Sequence, residues 1–176
     1  MVAWRRHGFS LAELLIVCAV LGVVAVVALP AAQPVAEFRL DAAAGEVVQA
    51  LRFARQEAMR TGAYRALRCD TPNNQVQVYI PDAVGGVAAT VPHPLSKMDY
   101  TINLGQAPAG GNIKLASCSF AYTGDGSTLF VAFDGNGNPV GGNTKVVALT
   151  SGSVVVGAGA ATRTVTVDLA GRVTTS

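Results

Sequence analysis

Nucleophiles, acid–base pairs and metal ligands are scarce in this chain, which carries two His and three Cys among 176 residues. His7 stands in a basic start and His93 between two prolines, and no Ser-His-Asp set or ligand cluster can be assembled around either. Gly124-Asp125-Gly126-Ser127 lacks the Gly-x-Ser-x-Gly pattern of a nucleophile elbow. Asp134-Gly135-Asn136-Gly137-Asn138 starts like a calcium loop, but Pro139 and Lys145 stand where such a loop needs Gly and Glu. A tight Asn-Gly turn is the simpler reading there. These residues describe a protein that is not an enzyme and that needs no metal or cofactor. The residue chemically out of place is Glu13. It is a lone carboxylate in front of Leu14–Ala36, a run of 23 residues without charge. A carboxylate entering a bilayer costs several kcal/mol unless it meets a cation, so it marks a functional position by default.

The elements around Glu13 follow from composition and period. Apolar residues make up 51% and charged ones 14%, with mean hydropathy +0.39, which excludes disorder and a highly charged coiled coil. The net charge of +2 and pI near 8.6 are too mild to argue for nucleic acid by themselves. Leu14–Leu29 are all apolar or Gly, near the length that crosses a bilayer. Arg5, Arg6 and His7 precede them, which keeps that end cytoplasmic and sends the remainder out across the inner membrane. Leu40, Ala44, Val47, Leu51, Ala54 and Ala58 then recur at helical spacing, and Thr61-Gly62 ends the pattern. One helix is therefore expected from about Phe9 to Thr61, bent near Pro30. From Tyr64 the period becomes two. Strands are expected over Gln75–Ile80, Tyr100–Leu104, Ile113–Phe120, Thr128–Phe133, Lys145–Thr150, Thr162–Leu169 and Arg172–Thr175, with residues 81–98 as a loop. The expected fold is α+β: a long helix, its first half transmembrane, packed against a mostly antiparallel sheet or two small sheets.

Three readings of the start compete. A secretory signal would be cut near Pro30–Ala32, and a plain signal anchor would stay uncut. Neither accounts for Glu13. The segment Gly8-Phe9-Ser10-Leu11-Ala12-Glu13 resembles the class III signal of type IV pilins and type II secretion pseudopilins. That resemblance implies a leader of residues 1–8, cut by prepilin peptidase between Gly8 and Phe9, with Phe9 then N-methylated. It implies a filament-core helix over 9–36, in which Glu13 helps dock the subunit, and a helix-kinking Pro30. Ala12 departs from the Ile more frequent in the family. Removing the leader leaves eleven basic against eleven acidic residues, so the mature chain is neutral.

Leu51-x-x-Ala54-Arg55-x-Glu57-Ala58 is similar to the helix end of the pseudopilin H group, which includes the minor pilins FimU and FimT. The likeness implies an amphipathic helix over 37–62 and a β-rich extracytoplasmic head over 63–176. The whole would be a minor pilin or pseudopilin that assembles with other pilins into a pilus or a secretion pseudopilus. Cys69 and Cys118 fall in the oxidising compartment and are expected to bridge, the alternative being two buried thiols. Cys18 reads as a small hydrophobe. FimT-like minor pilins are associated with DNA capture through a closing Gly-Arg-x-Arg. Gly171-Arg172-Val173-Thr174 keeps only the first Arg, so DNA is a weak expected partner, served by Arg172 with Arg163 or Lys145. Arg52 and Arg55 read as part of a solvated helix face.

Overall fold

A computed structural model describes residues 10–28, 32–106, 111–142 and 147–176 of the chain. The chain divides into two compact units between Ala36 and Glu37. Two helices are described where one bent helix was expected: α1 (Leu11–Ala28) and α2 (Ala32–Thr61). The leader, Phe9 and the expected kink at Pro30 lie outside the described residues, as does Lys145.

In the first unit, the Ser10 carbonyl accepts from the Glu13 and Leu14 N–H groups at 3.0 and 3.1 Å and so starts α1. Leu14, Leu15, Ile16 and Val17, which cover a full turn, are all exposed, as are Val20, Leu21, Val23 and Val24. A helix apolar on every side needs cover on every side. Among the described residues no helix is long and apolar enough to cross a membrane. The 18 residues of α1 reach about 27 Å at ~1.5 Å per residue, short of a hydrocarbon core of about 30 Å.

The second unit takes α2 from Glu37 onward and lays two antiparallel sheets over one of its faces. The first sheet has the order β3 (Val87–Thr90), β2 (Gln75–Pro81), β1 (Arg65–Asp70), β7 (Phe130–Phe133) and β8 (Pro139–Val140), with β4 (Thr101–Asn103) also on β2. The second has the order β11 (Val173–Thr175), β10 (Ala161–Val167), β9 (Leu149–Ala158), β5 (Ile113–Tyr122) and β6 (Gly126–Thr128). The helix face is small: Leu40, Ala43, Ala44, Val47, Ala50, Leu51, Ala54 and Ala58 are at most 3% exposed. Its alanines bring the sheets close enough for Leu67, Val76, Val78 and Val131 of the first sheet to share one core with Leu115, Phe120, Val154, Val156 and Val165 of the second.

Two ties join the sheets along one side. Cys69 of β1 is bridged to Cys118 of β5, with Cα atoms 6.3 Å apart. Asn74, at the β1–β2 turn with φ 56°, presents its amide to the edge of β5. Its Nδ2 donates to the Ile113 carbonyl at 2.9 Å and its Oδ1 accepts from the Leu115 N–H at 2.6 Å. The side chain thus takes the place of a neighbouring strand.

Three expectations need correction. The stretch 81–98 is not all loop: Val87–Thr90 pairs with β2, past an irregularity at Ile80/Pro81. Asp82 folds the connecting turn by accepting from the Val84 and Gly86 N–H groups. The strand expected over Lys145–Thr150 is described from Leu149 and runs on to Ala158, through Gly152 and Gly157. Gly152 is needed because a Cβ there would stand 2.7 Å from the Phe120 ring. Finally, Thr128–Phe133 is two strands in different sheets, switching at Leu129, whose carbonyl accepts from the Cys69 N–H at 2.8 Å.

The bridge closes a loop between residues 49 apart in sequence, which in the chain-entropy model contributes about 3–4 kcal/mol. The double variant Cys69→Ala/Cys118→Ala is expected to lose that much in urea unfolding, with an unchanged far-ultraviolet spectrum under native conditions.

Candidate functional site

Two places concentrate the functional residues. On α1, Glu13 is the one charged side chain, and it sits in the first turn, where the positive end of the helix dipole favours a carboxylate. Among the described residues no cation pairs with it. Gly8 and Phe9, expected at the cleavage point, lie outside the described residues.

On the head, the second place is a cleft of about 550 Å³ between α2 and β11, lined by Arg52, Arg55, Gln56, Met59 and residues 171–175. The helix side is built by spacing. Arg52 and Arg55 are three apart and flank the buried face of Leu51, Ala54 and Ala58, so both side chains reach the same cleft. Arg52 Nη2 donates to the Val173 carbonyl at 3.3 Å. Arg55 Nε donates to the Gly137 carbonyl at 3.0 Å.

The loops that meet these arginines are held by local carboxylates. Asp134 Oδ1 accepts from the Asn136 and Asn138 N–H groups at 2.9 and 2.8 Å, which makes Asp134–Asn138 a tight turn. Asp168 Oδ1 accepts from the Ala170 and Arg172 N–H groups at 2.9 and 2.7 Å and shapes the β10–β11 turn in the same way. Gly171, at φ 71°, lets that turn close on its neighbour: a Cβ would stand 2.8 Å from the Gly137 carbonyl oxygen. Arg55 therefore holds the Asp134–Asn138 turn by a hydrogen bond and lies beside Gly171 of the β10–β11 turn packed against it. The Ala54-Arg55-x-Glu57-Ala58 pattern acquires a physical meaning here. The alanines admit the sheets, Arg55 fastens the Asp134–Asn138 turn, and Glu57 holds Arg60 in an ion pair at 2.6 Å. That pair keeps the Glu57 carboxyl below its ordinary value.

The two arginines named from sequence are not brought together. Arg163 Nε donates to Asp41 Oδ1 at 2.6 Å, and this pair borders a neighbouring cleft of about 380 Å³. Arg172 is exposed and lines the larger cleft, in the company of Arg52 and Arg55. Reading Arg52 and Arg55 as a solvated helix face misses this. Their three-residue offset beside the buried stripe is the signal that could have placed them. Cys18 is exposed on α1 with its thiol free.

A third cleft, of about 550 Å³, lies where α2 meets the β3–β4 connection, with Glu46, Gln49, His93, Asp99 and Tyr100 on its wall. The His93 ring meets Tyr100 edge-on at 4.6 Å and Phe53 meets it at 5.0 Å, so the aromatic core of this wall leaves Glu46 half-buried. Burial raises the Glu46 carboxyl above its ordinary value, and burial first, then Glu46, does the same to the Tyr100 hydroxyl.

Comparison with known proteins follows the same division. The family model described as Type II transport protein GspH matches residues 43–171, and the prokaryotic N-terminal methylation motif matches residues 5–29. The type IV minor pilin FimU of Pseudomonas aeruginosa has the same fold, at TM-score 0.50 and 18% identity, over 80% of this chain and 90% of that one. So does the minor pseudopilin EpsH from the Type 2 Secretion System of Vibrio cholerae, at TM-score 0.52 and 15% identity, over 78% and 96% of the two chains. No curated protein matches the chain.

The raised Glu46 has a signed consequence. A carboxyl whose folded value lies above its unfolded one favours folding when protonated, and that advantage is lost as pH rises through the folded value. Glu46→Gln is expected to raise the melting temperature at pH 7 and to leave it unchanged near pH 3, read by thermal scans at both.

Proposed function

The chain belongs to the GspH family of type II transport proteins, and from that membership we propose how this minor pilin or pseudopilin subunit is processed and assembled. Prepilin peptidase cuts between Gly8 and Phe9, and Phe9 is N-methylated. The apolar run holds the subunit in the inner membrane, with the head in the periplasm, until it enters a filament. There α1 exchanges lipid for the helices of other pilins. Leaving one charge in such surroundings costs several kcal/mol, and the amine newly made at a neighbour's Phe9 is the cation that removes the cost for Glu13. The head then primes or caps the fibre.

The observation that supports this reading is α1 itself: exposed apolar side chains around the whole circumference from Leu14 to Val24, behind one carboxylate that has no cation of its own among the described residues. A signal-anchored binding module would leave Gly8–Phe9 uncut, and mass spectrometry of the mature chain separates the two: a methylated Phe at the amino terminus is expected.

Two machines use such subunits, a type IV pilus and a type II secretion pseudopilus. A clean deletion, scored side by side for twitching pili and for release of secreted enzymes, assigns the chain to whichever fails. In the machine so identified, Glu13→Ala is expected to lower incorporation into the fibre by roughly tenfold or more, and Glu13→Asp by less. Incorporation of Glu13→Ala at the wild-type level, measured by immunoblot of sheared fibres, would sink the charge-pairing mechanism.

A further inference from the structure

The filament reading uses α1 and leaves one edge of the head unexplained. β11 is the terminal strand of its sheet, and its hydrogen-bond phase is fixed: Thr164 and Ser176 exchange both bonds, at 2.9 and 3.0 Å. Pairs alternate along an antiparallel ladder, so Val173 and Thr175 turn their N–H and C=O groups away from β10. Those groups face the groove beside α2. Arg52 takes the Val173 carbonyl, while the Val173 N–H and both backbone groups of Thr175 have no partner among the described residues.

The groove is cationic on both sides. Arg52, Arg55 and Arg172 line the cleft on this edge, and no carboxylate does. Arg172 has no ion pair among the described residues. We propose that this groove binds an extended, carboxylate-bearing peptide segment of a partner protein, which adds as a further strand to the free edge of β11. Backbone pairing supplies the strand geometry, and the arginines select acidic side chains on the face turned toward α2.

The chemistry favours a peptide over a nucleic acid. The edge offers donors and an acceptor in alternation, at the two-residue repeat of a strand, about 7 Å. A phosphate backbone brings acceptors alone and would leave the Thr175 carbonyl unpaired. The cationic wall is also short, because Arg163, at the next cleft along, is already neutralised by Asp41. The proposal concerns the head and holds whether or not Glu13 acts as described above.

The test uses the full chain in detergent micelles, labelled with nitrogen-15, titrated with an end-capped peptide of alternating Val and Glu. Saturable shifts at the Val173 and Thr175 amides are expected. Thr175→Pro removes one outward N–H at an edge position that tolerates Pro and is expected to abolish binding with the melting temperature unchanged. Arg172→Ala is expected to weaken binding by roughly three- to tenfold. Three results overturn the proposal: no shift at either amide at millimolar peptide, equal binding of a peptide N-methylated on alternate residues, or equal binding with Lys in place of Glu. Shifts produced by a single-stranded oligonucleotide and not by the peptide would assign the groove to nucleic acid instead. The deletion phenotype is independent of all these outcomes, so the filament reading and this one fail separately.

Discussion

The head rests on one constraint: a single helix face must serve as the floor for two sheets at once. Ala43, Ala44, Ala50, Ala54 and Ala58 meet it by being small, since a larger side chain at any of them would push one sheet away and open a gap that close-packed interiors do not tolerate. Leu40, Val47 and Leu51 fill what remains between the sheets. The polar apparatus follows from this arrangement. Arg52 and Arg55 flank the stripe, so the same helix that carries the core also supplies the donors that fasten the loops at the sheet ends.

The two units solve opposite problems with the same kind of element. From Glu37 onward α2 is one-sided, and the head has a main core under the two sheets, a small second cluster of Ala66, Tyr79, Ala132 and Val140, and no buried charged side chain among the described residues. α1 is apolar all round and carries its lone charge where a helix start can best hold it. A chain with such a helix has a lasting place only where something apolar surrounds it, whether lipid or other helices.

Much of this was legible in the sequence for reasons that can be named. The buried helix residues stood out because apolar side chains at three- and four-residue spacing have few other uses. β2, β4, β5 and β10 were visible as β-branched runs between Gly, Pro and Asn turns. What stayed hidden depended on partners distant in the chain. Leu149–Ala158 reads poorly as a strand because Gly152 looks like punctuation until the Phe120 ring across the ladder explains it. Val87–Thr90 is an exposed Ala-containing segment whose order comes from β2 alone. The cationic cleft needs Arg172 to arrive next to Arg52 and Arg55, more than a hundred residues earlier, and no local pattern announces that meeting.

The bridge between β1 and β5 also has a mechanical meaning. A domain pulled at its two ends yields by paying out chain. Cys69 and Cys118 are 49 positions apart, so the covalent link withholds a slack of about 160 Å, at ~3.3 Å per residue, from anything that pulls on the two ends of the head. The withheld length contains β2, β3 and β4, while α2, β9, β10 and β11 lie outside the loop. Tension can peel the outer strands, yet the segment from β2 to β4 bears none of it while the disulfide lasts.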